Sequence, residues 1–316
     1  MNKIFEKVDA ILVKTPDSNF FYFTGLEGMW ENSFAIIFPD NVEVIAPPLE
    51  KGDAHFYKSK EEMEKLLIRI VCCDKIGFDG KKLSYGDYRY LKKLLKCNFV
   101  DIGNEIKKMR LIKRRDEVEK IRKACRISLK VLEEIDFSDK REKEVSAIIE
   151  YKFRMKNAHS AFNTIVAFGK NTSFPHHTPT NKKFVFPSLI DTGAKYRGYS
   201  SDITRSFVKR KGKKLYELIE TILYEIINEM HAGKKANEIY EIAENFFDKH
   251  GYSMRHALGH SIGIDVHDGF SISKESNFVL KENMVFAIEP AIYLKSYGLR
   301  IEEDVIVRKN RGEIIR

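Results

Sequence analysis

The chain has 316 residues, enough for two domains with sizeable cores, and its 43% hydrophobic and 32% charged content excludes a disordered or fibrous protein. The N-terminus, MNKIFEKVDAILVK, spaces its charges too closely for a signal peptide, and no apolar run reaches membrane-spanning length, so a cytoplasmic location and no membrane partner are expected. The net charge of +9 comes mostly from Lys spread along helical faces, which favours a solvated surface over a nucleic-acid partner.

Residues 1 to about 103 alternate short apolar runs with amphipathic stretches. AILVK, FAIIF, VEVIAP, IGFD and NFVDIG read as strands, and EEMEKLLIRIV and YGDYRYLKKLL as helices. That order predicts a small mixed α/β domain, placed at 1–110, with Tyr22, Phe23 and Trp30 as core and turn residues. Cys72, Cys73, Cys97 and Cys125 show no zinc-type spacing and read as free thiols.

The second domain, 111–316, opens on a long amphipathic helix. Val118, Ile121, Ala124, Cys125, Val131, Leu132 and Ile135 form its stripe, with Ser128 as the one polar interruption. A helix follows at 141–157, then strands at 162–168, 184–192 and 200–208. Helices recur at about 213–231 and 235–250, then strands near 258–266, 284–293 and 299–308. Two helices followed by strands, twice over, reads as an internal duplication within an α+β fold. The basic run Lys209–Lys214 links a strand to a helix and is expected to face solvent.

The duplication extends to the chemistry. LIDTGAKYRGYSSDITRSF carries an acid on each arm of a hairpin turning near Tyr196-Arg197-Gly198, and VFAIEPAIYLKSYGLRIEEDVIV does the same around Tyr297-Gly298. Alternation along a strand places Asp202 and Thr204 on one face, and Arg300, Glu302 and Asp304 on another. Two hairpins can thus bring Asp191, Asp202, Glu289 and Glu302 to a common point, joined by His260 from RHALGHSIGIDVHDGF. Each residue has an ordinary reading when taken singly: Asp202 could pair with Arg205, and Glu302 could form a surface ion pair like its neighbour Glu303.

Together they are hard to explain without cations. Four close carboxylates would raise one another's pKa until some were protonated, and two divalent ions would neutralise them. Oxygen-rich ligation with one nitrogen suits Mn, Co, Fe or Zn, and the expected chemistry is hydrolysis, with an activated water and a polarised scissile carbonyl. Asp191-Thr192-Gly193 also resembles the aspartic-protease triplet, but that mechanism needs two such triplets and the chain has one.

The stretches IDTGAKYRGYSSDITRSF, HALGHSIGIDVHD, FAIEPAIY and LRIEEDV resemble the metallopeptidase family of prolidase, aminopeptidase P and methionine aminopeptidase. FNTIVAFGKNTSFPHHTPTN and MRLIKRRDEVEKIRKA extend the likeness, and DAILVKTPDSNFFYFTGL is similar to the smaller domain that prolidases carry. The resemblance implies a pita-bread catalytic domain with pseudo-twofold halves. It implies that Asp191, Asp202, His260, Glu289 and Glu302 hold two divalent ions, with Asp202 and Glu302 bridging them. It further implies that Glu289 shuttles a proton, that His176, His256 and His267 face the substrate, and that Arg300 orients the ligand carboxylates.

Substrates would be short proline-containing peptides, with Mn or Co as the expected metal and a homodimer as the expected assembly. Three departures stand out: Ala291 after Glu-Pro, Ser261 after His260, and DGFSIS after His267, where dipeptide-specific enzymes often place an Arg. The nearest cation there is Lys274. An Xaa-Pro dipeptidase is the leading expectation. An aminopeptidase acting on longer peptides and a non-catalytic pita-bread binding module are the alternatives.

Overall fold

A computed structural model describes residues 2–316, and for Asn2 and Lys211 the backbone alone. The chain divides into two compact units between Met109 and Arg110. The first contains α1 (Asn2–Phe5), β1 (Ala10–Lys14), α2 (Ser18–Thr24), β2 (Phe34–Ile37), β3 (Val42–Ala46), β4 (His55–Phe56), α3 (Lys60–Ile70), β5 (Lys75–Phe78), α4 (Tyr85–Leu95) and β6 (Asn98–Asp101). The helix α5 (Gly103–Leu111) follows.

The six strands form one mixed sheet in the order β4-β3-β2-β1-β5-β6. Its two faces bury different side chains, as the period of two requires. Ala10 and Leu12 of β1 meet Met63, Leu67 and Leu91 from α3 and α4. Ile11 and Val13 meet Phe20, Trp30 and Ile106 on the other face. Trp30 is buried as expected, its indole N–H donating to the Glu27 carbonyl at 2.9 Å. The short α2 escaped the sequence reading because SNFFYFT carries no helical period. It is held by its ends, through an Asp17 N-cap and a left-handed Gly25.

The second unit repeats one plan. Its first half runs α6 (Arg115–Glu133), α7 (Glu142–Met155), β7 (His159–Ser160), β8 (Ile165–Phe168), β9 (Ser188–Thr192), β10 (Ala194–Tyr196), β11 (Tyr199–Ser200) and β12 (Ile203–Phe207). Its second half runs α8 (Lys213–Glu229), α9 (Ala236–Lys249), β13 (Gly259–Ser261), β14 (Ser271–Ile272), β15 (Val285–Ile288), β16 (Ala291–Tyr293), β17 (Gly298–Arg300), β18 (Glu303–Val307) and β19 (Gly312–Ile314). One core joins Ile219, Ile222 and Ile226 of α8, Ile239 and Phe247 of α9, and the inner faces of β15 and β18.

The long strands expected at 184–192, 200–208, 284–293 and 299–308 are shorter and broken. Gly193 separates β9 from β10, and a Cβ there would lie 1.8 Å from the Ser201 carbonyl oxygen. Glu289-Pro290 separates β15 from β16, and Ile301-Glu302 separates β17 from β18. Each hairpin therefore bends beside its acidic residues, so Arg300, Glu302 and Asp304 do not lie on one continuous strand. In the basic run, Lys209 and Lys213 are exposed, while the Lys211 side chain lies outside the described residues.

Ser128, the polar interruption of α6, is fully buried and pairs with Ser201 at 2.9 Å while accepting the Ala194 amide at 2.8 Å. The α6 stripe thus grips the first hairpin through a hydroxyl set among apolar contacts.

Glu142, the first residue of α7, is buried and ties that helix to the following loops. It accepts from the Phe168 amide and Asn171 at 2.8 Å each, from the Thr180 amide at 2.9 Å and from the Thr180 hydroxyl, and it meets His177 at 2.9 Å. Burial alone would raise its pKa, but the bonds from Thr180, His177 and Asn171 outweigh that and hold the carboxyl below the ordinary Glu range. A depressed folded-state pKa adds stability above the unfolded value of about 4.3, and that stability is lost as pH falls through the folded value. Glu142→Gln should cost roughly 2 kcal/mol at pH 7, with the gap to wild type closing as pH falls below about 4, read by urea unfolding at both pH values.

Candidate metal centre and active site

Asp191 lies in β9 opposite Thr204 of β12. Asp202 and Glu302 sit in the gaps just before β12 and β18, Glu289 follows β15, and His260 is in β13. Ligand atoms of Asp202, His260 and Glu302 all lie within 4.8 Å of one another, and all three residues are buried. His260 Nε2 is 3.5 Å from Asp202 Oδ2. Asp191 and Glu289 fall outside this tight group. Asp191 is ion-paired with Arg300, and Glu289 Oε2 lies 3.9 Å from His256 Nδ1.

Neither ordinary reading of the acids holds in the structure. Arg205 bonds Glu303 at 2.8 Å and the Glu302 carbonyl at 2.8 Å, leaving Asp202 to the cluster. Glu302 is only 2% exposed, so it is no surface residue.

Among the described residues, Arg300 is the one buried cation beside these acids. It donates to Tyr293 Oη at 2.6 Å, to Thr204 Oγ1 at 3.0 Å and to Asp191 Oδ2. Four carboxylates thus face one guanidinium. Burial, then Glu302 and Asp191, push the Asp202 carboxyl well above the usual range, and burial, then Asp191 and Glu289, do the same to Glu302. Asp191 Oδ1 and Asp202 Oδ1 are buried with no hydrogen-bond partner. Buried acceptors without donors, in a cluster short of positive charge, are what divalent cations would satisfy. The oxygen-rich donor set with one imidazole fits such ions.

The histidines expected to face the substrate stand around this cluster. The His267 ring lies 4.1 Å from that of His260. Although His267 is exposed, crowding by protein atoms, followed by His260 and His176, lowers its pKa and favours the neutral imidazole. His176 is exposed, and His256 packs against Tyr293 at 5.7 Å between ring centres. His177 points away to Glu142, a structural role that the sequence did not reveal.

Sequence reasoning also missed Arg110 and Lys113, both inside MRLIKRRDEVEKIRKA. They are buried and clamp Asp268 next to His267, Lys113 at 3.0 Å. The run is dense in charged residues, so no local signal singled these two out. Lys274, the cation nearest DGFSIS, is mostly exposed and lies 3.4 Å from Glu244.

The sequence profile of metallopeptidase family M24 matches residues 119–309, and that of the creatinase/prolidase N-terminal domain matches residues 5–112. The chain belongs to metallopeptidase family M24. It is 33% identical to the Xaa-Pro dipeptidase of Pyrococcus furiosus, over 96% of this chain and 92% of that one. Among solved structures, the prolidase from Pyrococcus furiosus superposes with a TM-score of 0.88 at 32% identity, covering 100% of this chain and 98% of that one. The X-Pro aminopeptidase from Thermotoga maritima superposes with a TM-score of 0.86 at 28% identity, covering 98% and 95%. The chain therefore has the pita-bread fold of the prolidases and is a metal-dependent hydrolase.

If uncompensated charge dominates this M24 centre, Asp202→Asn should stabilise the metal-free protein by at least about 1 kcal/mol. Divalent ion at about a hundredfold over its Kd should stabilise wild type by about 2.7 kcal/mol and Asp202→Asn by much less. Thermal melting with and without Mn reads both effects.

Proposed function

We propose that this chain hydrolyses the bond between an N-terminal residue and proline, most simply as an Xaa-Pro dipeptidase. The observation that carries this reading is the buried Asp202–His260–Glu302 donor group, in a chain 33% identical over 96% of its length to an Xaa-Pro dipeptidase. Asp191, Asp202, His260, Glu289 and Glu302 would hold two divalent ions, Mn or Co for preference. When bound, the ions supply Lewis acidity for activating water and polarising the scissile carbonyl.

The protein's own groups do the rest. Glu289 is the least enclosed of the four acids, its side chain 19% exposed, and can receive a proton from the attacking water and return it to the proline nitrogen. His267, held neutral by its surroundings, donates one N–H to the oxygen that becomes negative, and His176 contributes from the open side. His256 stands 3.9 Å from Glu289 with its Nδ1 bonded to the Ala257 carbonyl, and Arg300 fixes Asp191 through a charge-assisted bond.

A second reading, an aminopeptidase that takes longer peptides, is favoured by one observation. Lys274 is engaged with Glu244, and DGFSIS offers no arginine for a dipeptide's carboxylate.

Two assays test these readings. On the Mn- or Co-loaded protein, an Xaa-Pro dipeptide should be turned over faster than Xaa-Pro-Yaa; equal or faster tripeptide cleavage would move the assignment to the aminopeptidase. Glu289→Gln should lower kcat by about 10²–10⁴ at similar KM, with metal content measured alongside. Unchanged kcat would remove Glu289 from the proton transfer.

A further inference from the structure

The two halves of the catalytic unit exchange support at equivalent places. Two residues beyond each central acid, Asp202 and Glu302, stand Thr204 and Asp304, and each reaches the acid of the other half. Thr204 donates its hydroxyl to Glu302 Oε2 at 2.6 Å, and its carbonyl accepts the Glu302 amide at 3.1 Å. Asp304 Oδ2 accepts the Asp202 amide at 3.0 Å.

The Thr204 hydroxyl has a fixed sense. Arg300 Nε donates to it at 3.0 Å, and a guanidinium can only donate, so the single hydroxyl hydrogen is left for Glu302.

Asp304 is the less ordinary partner. It is 1% exposed beside Glu303 at the start of β18, its Oδ1 has no partner, and its Oδ2 also takes the Cys125 thiol of α6 at 3.0 Å. A buried carboxylate with a free oxygen costs free energy that an apolar residue would avoid. Its one directional contact with the metal cluster is the amide of Asp202.

We propose that Asp304 and Thr204 are positioning residues for the two central carboxylates, each half of the duplicated unit aiming the metal-binding acid of the other. The proposal rests on the reading of Asp202 and Glu302 as metal ligands. Asp304 sets where the chain enters β12 and so where the Asp202 side chain starts. Thr204 fixes which Glu302 oxygen is held by protein and which stays free.

The test is calorimetric titration of Mn(II) into metal-free wild type, Asp304→Ala, Asp304→Asn, Thr204→Val and Thr204→Ser, with thermal melting of each metal-free protein. Wild type should bind two ions. Asp304→Ala and Thr204→Val should each weaken binding by about 10–100-fold, the range for outer partners of metal ligands. Asp304→Asn keeps an oxygen for the Asp202 amide, and Thr204→Ser keeps the hydroxyl, so both should recover most of that loss; a merely structural role predicts no such rescue.

Folded Asp304→Ala and Thr204→Val proteins binding Mn(II) as wild type does would overturn the proposal. If Asp304→Ala fails to fold, the Thr204 pair decides. If wild type itself binds no Mn(II), the ligand assignment fails and the positioning proposal with it, a result distinct from equal binding by all variants.

Discussion

The catalytic unit is organised around an electrostatic deficit. Asp191, Asp202, Glu289 and Glu302 converge with Arg300 as their one buried cation among the described residues, and burial pushes Asp202 and Glu302 well above the usual carboxylate range. Fold stability alone would select apolar residues at these places, since a buried charge without its partner is among the costlier features of a core. The deficit makes sense as a receptor for divalent cations.

Backbone breaks bend the duplicated hairpins around their acids. A continuous strand would send successive side chains to opposite faces and could not bring a ligand and its neighbours to one point. The close approach at Gly193, the Glu289-Pro290 gap and the Ile301-Glu302 gap each bend the chain where an acid must turn inward. Helix α6 then fixes both hairpins from behind, through Ser128 on the first and Cys125 on Asp304 of the second. The loop carrying His267 is held by Arg110 and Lys113 on Asp268, and so rests on buried ion pairs.

Much of this was legible in the sequence because it follows from pattern. The strands of the first unit, the α6 stripe with its odd serine and the duplication follow from hydrophobic period, whereas the choice of Glu302 over Glu303 came from the family resemblance in LRIEEDV. The strand breaks were not legible, since VFAIEPAIY and LRIEEDVIV have the same alternation whether straight or bent. The roles of Asp304 and His177 were also hidden. Each depends on a partner far along the chain, Asp202 and Cys125 for one and Glu142 for the other, and no local spacing encodes those meetings. Short α2, set by its caps, escaped for the converse reason.

We propose that cations replace protons in the carboxylate cluster. With pKa values raised by burial and by one another, Asp202 and Glu302 should hold protons in the metal-free protein at pH values where ordinary carboxylates have lost them. Calorimetric titration of Mn(II) into the metal-free protein near pH 6, repeated in buffers of different ionisation enthalpy, counts ions and released protons together. Two ions bound per chain with net proton release is the expected result. Binding of one ion or none, or two ions with no proton released, would contradict the account.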